Sequence, residues 1–173
     1  MKELLNKTHR QIFCYNKDIG HLFVPNLNAR IMNENGGYYV RSNSLGFRSN
    51  TEFIEKKSDK PRILFFGDSN TAADGVSNNE RFSELVGEYF KAEVYNFALS
   101  GSGTDQQYLI RQKYAQKVEA DLIVFGILVD NIERNKVAYR ETINPYTKKN
   151  VLTPKPYFRL EKGKLKLSNS PVP

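Results

Sequence analysis

The run Ile63-Leu64-Phe65-Phe66-Gly67-Asp68-Ser69-Asn70-Thr71 constrains this chain more than any other feature. Four bulky apolar residues without interruption predict a strand buried on both faces, the kind found in parallel sheets. Gly67 then permits a sharp turn, and a serine two residues later presents its hydroxyl at the mouth of the sheet. A turn of this kind serves a nucleophile or cradles an anion. It is equally an ordinary strand-to-helix loop with Ser69 near a helix start, so the rest of the chain has to decide between these roles.

From Ile63 onward, strand patterns alternate with helical ones, which predicts βαβ units and a parallel sheet. Phe82, Leu85, Val86, Tyr89 and Phe90 fall at helical spacing, with Asn78 or Asn79 available as the cap. Val94–Ala98 reads as a second strand, followed by the loop Leu99-Ser100-Gly101-Ser102-Gly103. Thr104-Asp105-Gln106-Gln107 fits a capping box, which starts a second helix that runs to about Val118. Leu122–Leu128 is a third strand, ending at Val129-Asp130-Asn131, with a short helix expected through Tyr139. Before residue 60 the periodicity is weak. A short helix near Leu4 to Phe13 and an irregular lead-in layer are expected there, with Asn33-Glu34-Asn35-Gly36-Gly37 closing a hairpin against Tyr38-Tyr39-Val40. The stretch from Ile143 to Pro156 holds three of the seven prolines and cannot be regular throughout. Tyr157–Leu160 and Leu165–Leu167 then flank a turn and predict a hairpin. Residues 1–60 thus form a lead-in and 61–173 the α/β domain.

At 173 residues, 39% hydrophobic and 12% aromatic, the chain can build one real core. It holds no apolar stretch of the roughly 20 residues that cross a bilayer, and Met1-Lys2-Glu3-Leu4-Leu5 opens no secretory signal, so as written the chain is expected to be soluble and cytoplasmic. Cys14 is the only cysteine, which excludes an intrachain disulfide and a cysteine-based zinc site. The net charge of +7 is spread along the chain, with a modest concentration from Lys148 to Lys166. No nucleic-acid motif accompanies it, and a solvated basic face is expected rather than a nucleic-acid partner.

Right-handed crossovers put the C-terminal ends of parallel strands on one edge, where ligands bind. The loops after the three strands supply Ser69, Gly101 and Asn131 in turn, with Asp68 and Asp130 beside two of them. These types suit ester hydrolysis, which needs a hydroxyl nucleophile and N–H donors for the oxygen that turns negative in the tetrahedral intermediate. Gly67-Asp68-Ser69, the loop ending at Gly101 and the Asp-Asn pair after the third strand resemble the first three blocks of the SGNH hydrolases, also called GDSL esterases or lipases. Asn43-Ser44-Leu45-Gly46-Phe47-Arg48 looks like the lead-in of many bacterial members, and the match covers about residues 40 to 140. The resemblance implies a three-layer α/β/α, flavodoxin-like parallel sheet, here incomplete at its C-terminal side. It implies Ser69 as nucleophile, with an oxyanion hole formed by the Ser69 amide, the Gly101 amide and the Asn131 side chain. The chemistry is an acyl-serine route on a small-molecule or carbohydrate acyl ester, without cofactor or metal.

Two departures from that pattern stand out. The usual third block is Gly-x-Asn-Asp, whereas Leu128-Val129-Asp130-Asn131 has the acid first. Asn131 is preferred at the oxyanion position, because Asp130 there would repel the developing charge. The fourth block, an Asp-x-x-His near the C-terminus, is absent, and His9 and His21 precede the sheet as expected surface or packing residues that do not reach Ser69. The chain is therefore expected to be the N-terminal part of an esterase or acyl-transferring enzyme that continues past Pro173, inactive in this form. The alternative is a non-catalytic carbohydrate- or acyl-binding protein. A flavodoxin-like nucleotide binder ranks last, because the loop lacks a P-loop lysine and Gly-x-Gly-x-x-Gly spacing.

Overall fold

Two antiparallel hairpins occupy the region before the apolar run, in place of the expected irregular layer. In the computed structural model, which describes residues 12–34, 36–143, 147 and 149–173, strand β1 (Phe13–Asn16) pairs with β2 (Gly20–Phe23), and β3 (Asn28–Ile31) with β4 (Tyr38–Arg41). The second is the hairpin expected around Asn33–Gly37. The helix expected near Leu4 to Phe13 lies outside the described residues except at its end, where Phe13 is already extended. Aromatic packing accounts for the hairpins: Phe13 stacks 4.7 Å from Phe23 across the first, and Leu22, Phe23, Val40 and Phe47 are buried in the same core as the sheet.

The apolar run forms β5 (Arg62–Gly67), buried at all six positions. It is followed by the short α1 (Ser69–Ala72), α2 (Phe82–Phe90), β6 (Glu93–Asn96), α3 (Thr104–Tyr114), β7 (Leu122–Gly126) and α4 (Asn131–Asn135). As predicted, β5 runs parallel to both neighbours, in the order β6-β5-β7. Arg62 opens β5 fully buried. Its guanidinium donates to the carbonyls of Ile54, Glu55, Lys56 and Glu119 and to Glu93 at 2.9 Å, over the Tyr95 ring. Those bonds are what make a buried charge tolerable.

Three expectations change. The cap of α2 is Arg81, because Asn78–Glu80 form a separate 3₁₀ turn, and α2 buries Ser83 and Gly87 rather than its apolar stripe. Phe82, Leu85, Tyr89 and Phe90 stay exposed, while Gly87 lets the helix sit so close to Val94 that a Cβ would collide with it. The start of α3 is set by Gly103, whose N–H donates to the Gln106 side chain at 3.1 Å, one residue ahead of the expected box. Finally, α4 stops at Asn135, and Tyr139 belongs to β8 (Tyr139–Ile143), which pairs with β9 (Asn150–Pro154).

The predicted C-terminal hairpin is β10 (Tyr157–Glu161) with β11 (Lys164–Ser168). The tail is pinned to α3 by a buried ion pair between Lys155 Nζ and Asp105, and Phe158 packs on Tyr108. Among the described residues the fold is mixed α/β, with eleven strands and four α-helices. None of the described helices is long and apolar enough to cross a membrane. Strand β7 carries exposed Leu122, Ile123 and Phe125, so this side of the sheet is open.

Candidate functional site

Ser69 is the first residue of α1, and the turn beneath it is fixed from three directions. At Gly67 the backbone passes so close to Thr71 that a Cβ would collide with it. Asp68 caps the helix: Oδ1 accepts from the Asn70 N–H at 2.9 Å and Oδ2 from the Asn131 amide at 3.1 Å. Behind the turn, Arg48 of the lead-in motif is fully buried. Its Nη1 donates to the carbonyls of Ala72 (2.9 Å) and Ala73 (3.1 Å), and its Nη2 to Val76 O (2.8 Å). Ala72 and Ala73 stand at the C-terminal end of α1, where helix carbonyls lack intrahelical partners. Burial, and then the neighbouring Arg81 charge, lowers the Arg48 pKa to about 10, which leaves it charged at neutral pH.

The second loop is drawn against the first by two bonds to Gly67 O, from Leu99 N (3.0 Å) and Ser102 Oγ (3.2 Å). Within it, Ser100 Oγ donates to Asp74 at 2.7 Å, and Gly101 has φ +73°, a conformation that favours glycine. Ser69, Asp74, Ser100, Gly101, Arg134 and Arg140 line one cleft of about 320 Å³, closed on its apolar side by Phe13, Phe23 and Val40. The structure thus brings Ser69 and Gly101 to one cleft at the C-terminal edge of the parallel sheet.

Asn131 is placed differently. It opens α4, as the order of the loops requires, but it is fully buried and does not line the cleft. Its amide nitrogen is committed to Asp68, and its oxygen has no partner among the described residues. Asp130 is exposed beside it and does not line the cleft either. Arg134, one turn further along α4, donates to Ser102 O at 3.1 Å and lies 3.6 Å from Asp68.

His21, expected to be a surface or packing residue, is half-buried, and β2 delivers it to the Gly101 loop, with Nε2 3.0 Å from Ser100 O and 2.7 Å from Arg140 Nη1. Nε2 cannot serve both neighbours at once: with the ring proton on Nδ1 it accepts from Arg140, and with the proton on Nε2 it donates to the Ser100 carbonyl. Burial first, and the Arg140 charge second, lower the His21 pKa to about 4, against the pull of the Ser100 carbonyl. The imidazole is therefore neutral at physiological pH, with Nε2 engaged in either tautomer. No bond joins it to Ser69, as expected; His9 lies outside the described residues. Arg140 and His21 were missed because they come from two hairpins 119 residues apart. Compared with known proteins, the chain matches no protein-family model and no curated protein.

Proposed function

We propose that this chain carries the nucleophile half of an SGNH-type serine esterase or acyltransferase, on an open parallel sheet of the flavodoxin-like, three-layer kind. The observation that carries it is the meeting of Ser69 and Gly101 in one cleft, on consecutive loops at the ends of parallel strands β5 and β6. Ser69 Oγ attacks the ester carbonyl, its proton passes to a base, and the Ser69 and Gly101 amides receive the oxyanion. Collapse of the tetrahedral intermediate expels the alcohol and leaves acyl-Ser69, which water or a second alcohol then resolves. Asn131 acts through Asp68, whose cap holds the turn that presents Ser69; it is a positioning residue here, and the direct oxyanion role implied by the family would require its amide to leave Asp68. His21 does not serve as the base, since its Nε2 is engaged by Arg140 or by the Ser100 carbonyl and no bond joins it to Ser69. The base of this scheme is the Asp-x-x-His unit that the resemblance implies.

Chemical rescue tests this. Exogenous imidazole should accelerate fluorophosphonate labelling, with the adduct located on the Ser69 peptide by mass spectrometry and lost in Ser69→Ala. A Ser69 that stays unlabelled at high imidazole, in a protein whose fold is intact by circular dichroism, overturns the esterase reading. The cleft then belongs to a binding protein for a carbohydrate or acyl group, which the uncommitted Ser69 hydroxyl would serve without turnover.

A further inference from the structure

We infer that the cleft beside Ser69 is an oxyanion-binding site, in which Arg140 and Arg134 receive a carboxylate or phosphate group carried by the substrate. The inference deepens the acyl-serine reading by making the substrate an anionic ester, and it rests on that reading for the ester but not for the anion.

Arg140 is a half-buried guanidinium whose protein partners are a neutral imidazole and a carbonyl, Ser100 O at 3.4 Å, both reached through Nη1. Among the described residues it has no ion-pair partner. The nearby acids are committed elsewhere. Asp74 accepts from Ser100 and lies 3.9 Å from Arg48, and Asp68 is shared by Asn70, Asn131 and Arg134. Nε and Nη2 of Arg140 have no acceptor among the described residues, and both arginines line the cleft with Ser69. The guanidinium lies against Gly101 so closely that a Cβ at that position would collide with Cζ, Nη2 and Nε. Its place at the cleft therefore depends on a glycine in the left-handed region.

Arg48, Arg134 and Arg140 all line the cleft, and Arg140 is half buried without a paired carboxylate, so these like charges raise one another's energy. Burial and the Arg134 charge both push the Arg140 pKa down, with Asp74 opposing. An oxyanion relieves both costs at once, and a guanidinium with two free N–H donors matches the two oxygens of a carboxylate or phosphate. The site lies beside Ser69, so an ester anchored there places its carbonyl near the nucleophile. Neutral short-chain esters lack that anchor.

The test follows backbone amide and arginine Nε–H resonances of the ¹⁵N-labelled protein at pH 7, titrated separately with sodium phosphate, sodium succinate and, as an ionic-strength control, sodium chloride. Saturable shifts of the Gly101 and Ser69 amides and of Arg140 Nε–H are expected with phosphate or succinate and not with chloride. The anion that saturates identifies whether the substrate group is a phosphate or a carboxylate. Arg140→Gln should weaken binding about tenfold or more, and Arg134→Gln, whose charge is already shared with Asp68, should weaken it less. Fluorophosphonate labelling is scored on Ser69 and anion binding on the two arginines, so failure of the one reading is distinguished from failure of the other. Absence of saturation, or parent-like binding in both arginine variants with native amide dispersion, overturns the inference.

Discussion

Lowering the pH should loosen the bond between the lead-in hairpin and the cleft, and His21 sets the size of the effect. Its pKa falls from 6.5 to about 4 in the folded chain, with burial the larger cause and Arg140 the second. Between those two values the unfolded chain binds a proton that the folded chain refuses, so acidification favours unfolding. The contribution is present in full above about pH 6.5 and is lost progressively as the pH falls toward 4. At about 1.4 kcal/mol per pH unit the whole span is worth about 3 kcal/mol, and about 2.5 kcal/mol of it is lost between pH 7.5 and 4.5. The partial exposure of His21 makes these upper values. His21→Gln keeps a neutral acceptor for Arg140 and removes the titration. The assay is urea unfolding of both proteins across that range, because carboxylates titrate in both and cancel in the difference. A gap between parent and variant that stays constant with pH, or an imidazole of His21 that titrates near 6.5 by NMR, refutes the reasoning. Arg140→Gln should raise the His21 pKa only part of the way, since burial remains.

Two buried cations give further outcomes. Arg48→Met removes the guanidinium donors to the carbonyls of Ala72, Ala73 and Val76 and should cost at least about 3 kcal/mol in chemical denaturation, while shifting the Ser69 amide resonance because the turn loses its support. Lys155→Met leaves the Asp105 carboxylate buried without its partner and should cost about 3–5 kcal/mol. Adding Asp105→Asn to that variant should recover part of the loss, measured by thermal unfolding, whereas an additive double variant would mean the pair is not coupled.

The elements that were legible in the sequence are those with a strong period or a strong run. The uninterrupted apolar stretch gave β5, helical spacing gave α2, and the capping pattern at Thr104–Gln107 gave the start of α3 to within a residue, though the helix ends at Tyr114 rather than near Val118. What periodicity cannot supply is the side of a helix that has a partner. The stripe Phe82, Leu85, Tyr89 and Phe90 marks α2 as a helix, yet the positions it buries against the sheet are Ser83 and Gly87, where a small residue permits closer approach, and of the stripe Phe82 packs edge-on against Phe65. The hairpins β1–β2 and β8–β9 were not legible for a different reason. Their strands are five residues or fewer and hold polar and apolar residues without clean alternation, so their pairing is set by what they dock against.

For the site, topology made Ser69 and Gly101 legible: parallel strands deliver their loops to one edge whatever the intervening helices do. Asn131 follows the same rule, and the rule fixes its loop but not the direction of its side chain, which the buried Asp68 carboxylate claims. Arg48, His21 and Arg140 show the limit from the other side, since each acts on a loop far from it in sequence and leaves no local signature. Gly101 joins the two kinds of information. Sequence reasoning asks for a glycine so that an amide can approach an oxyanion, and the folded chain needs a glycine there so that the Arg140 guanidinium can reach the cleft. In the proposed reaction both demands fall on one Cα, which couples recognition of an anionic substrate to stabilisation of its tetrahedral intermediate. Gly101→Ala would then disturb both at once.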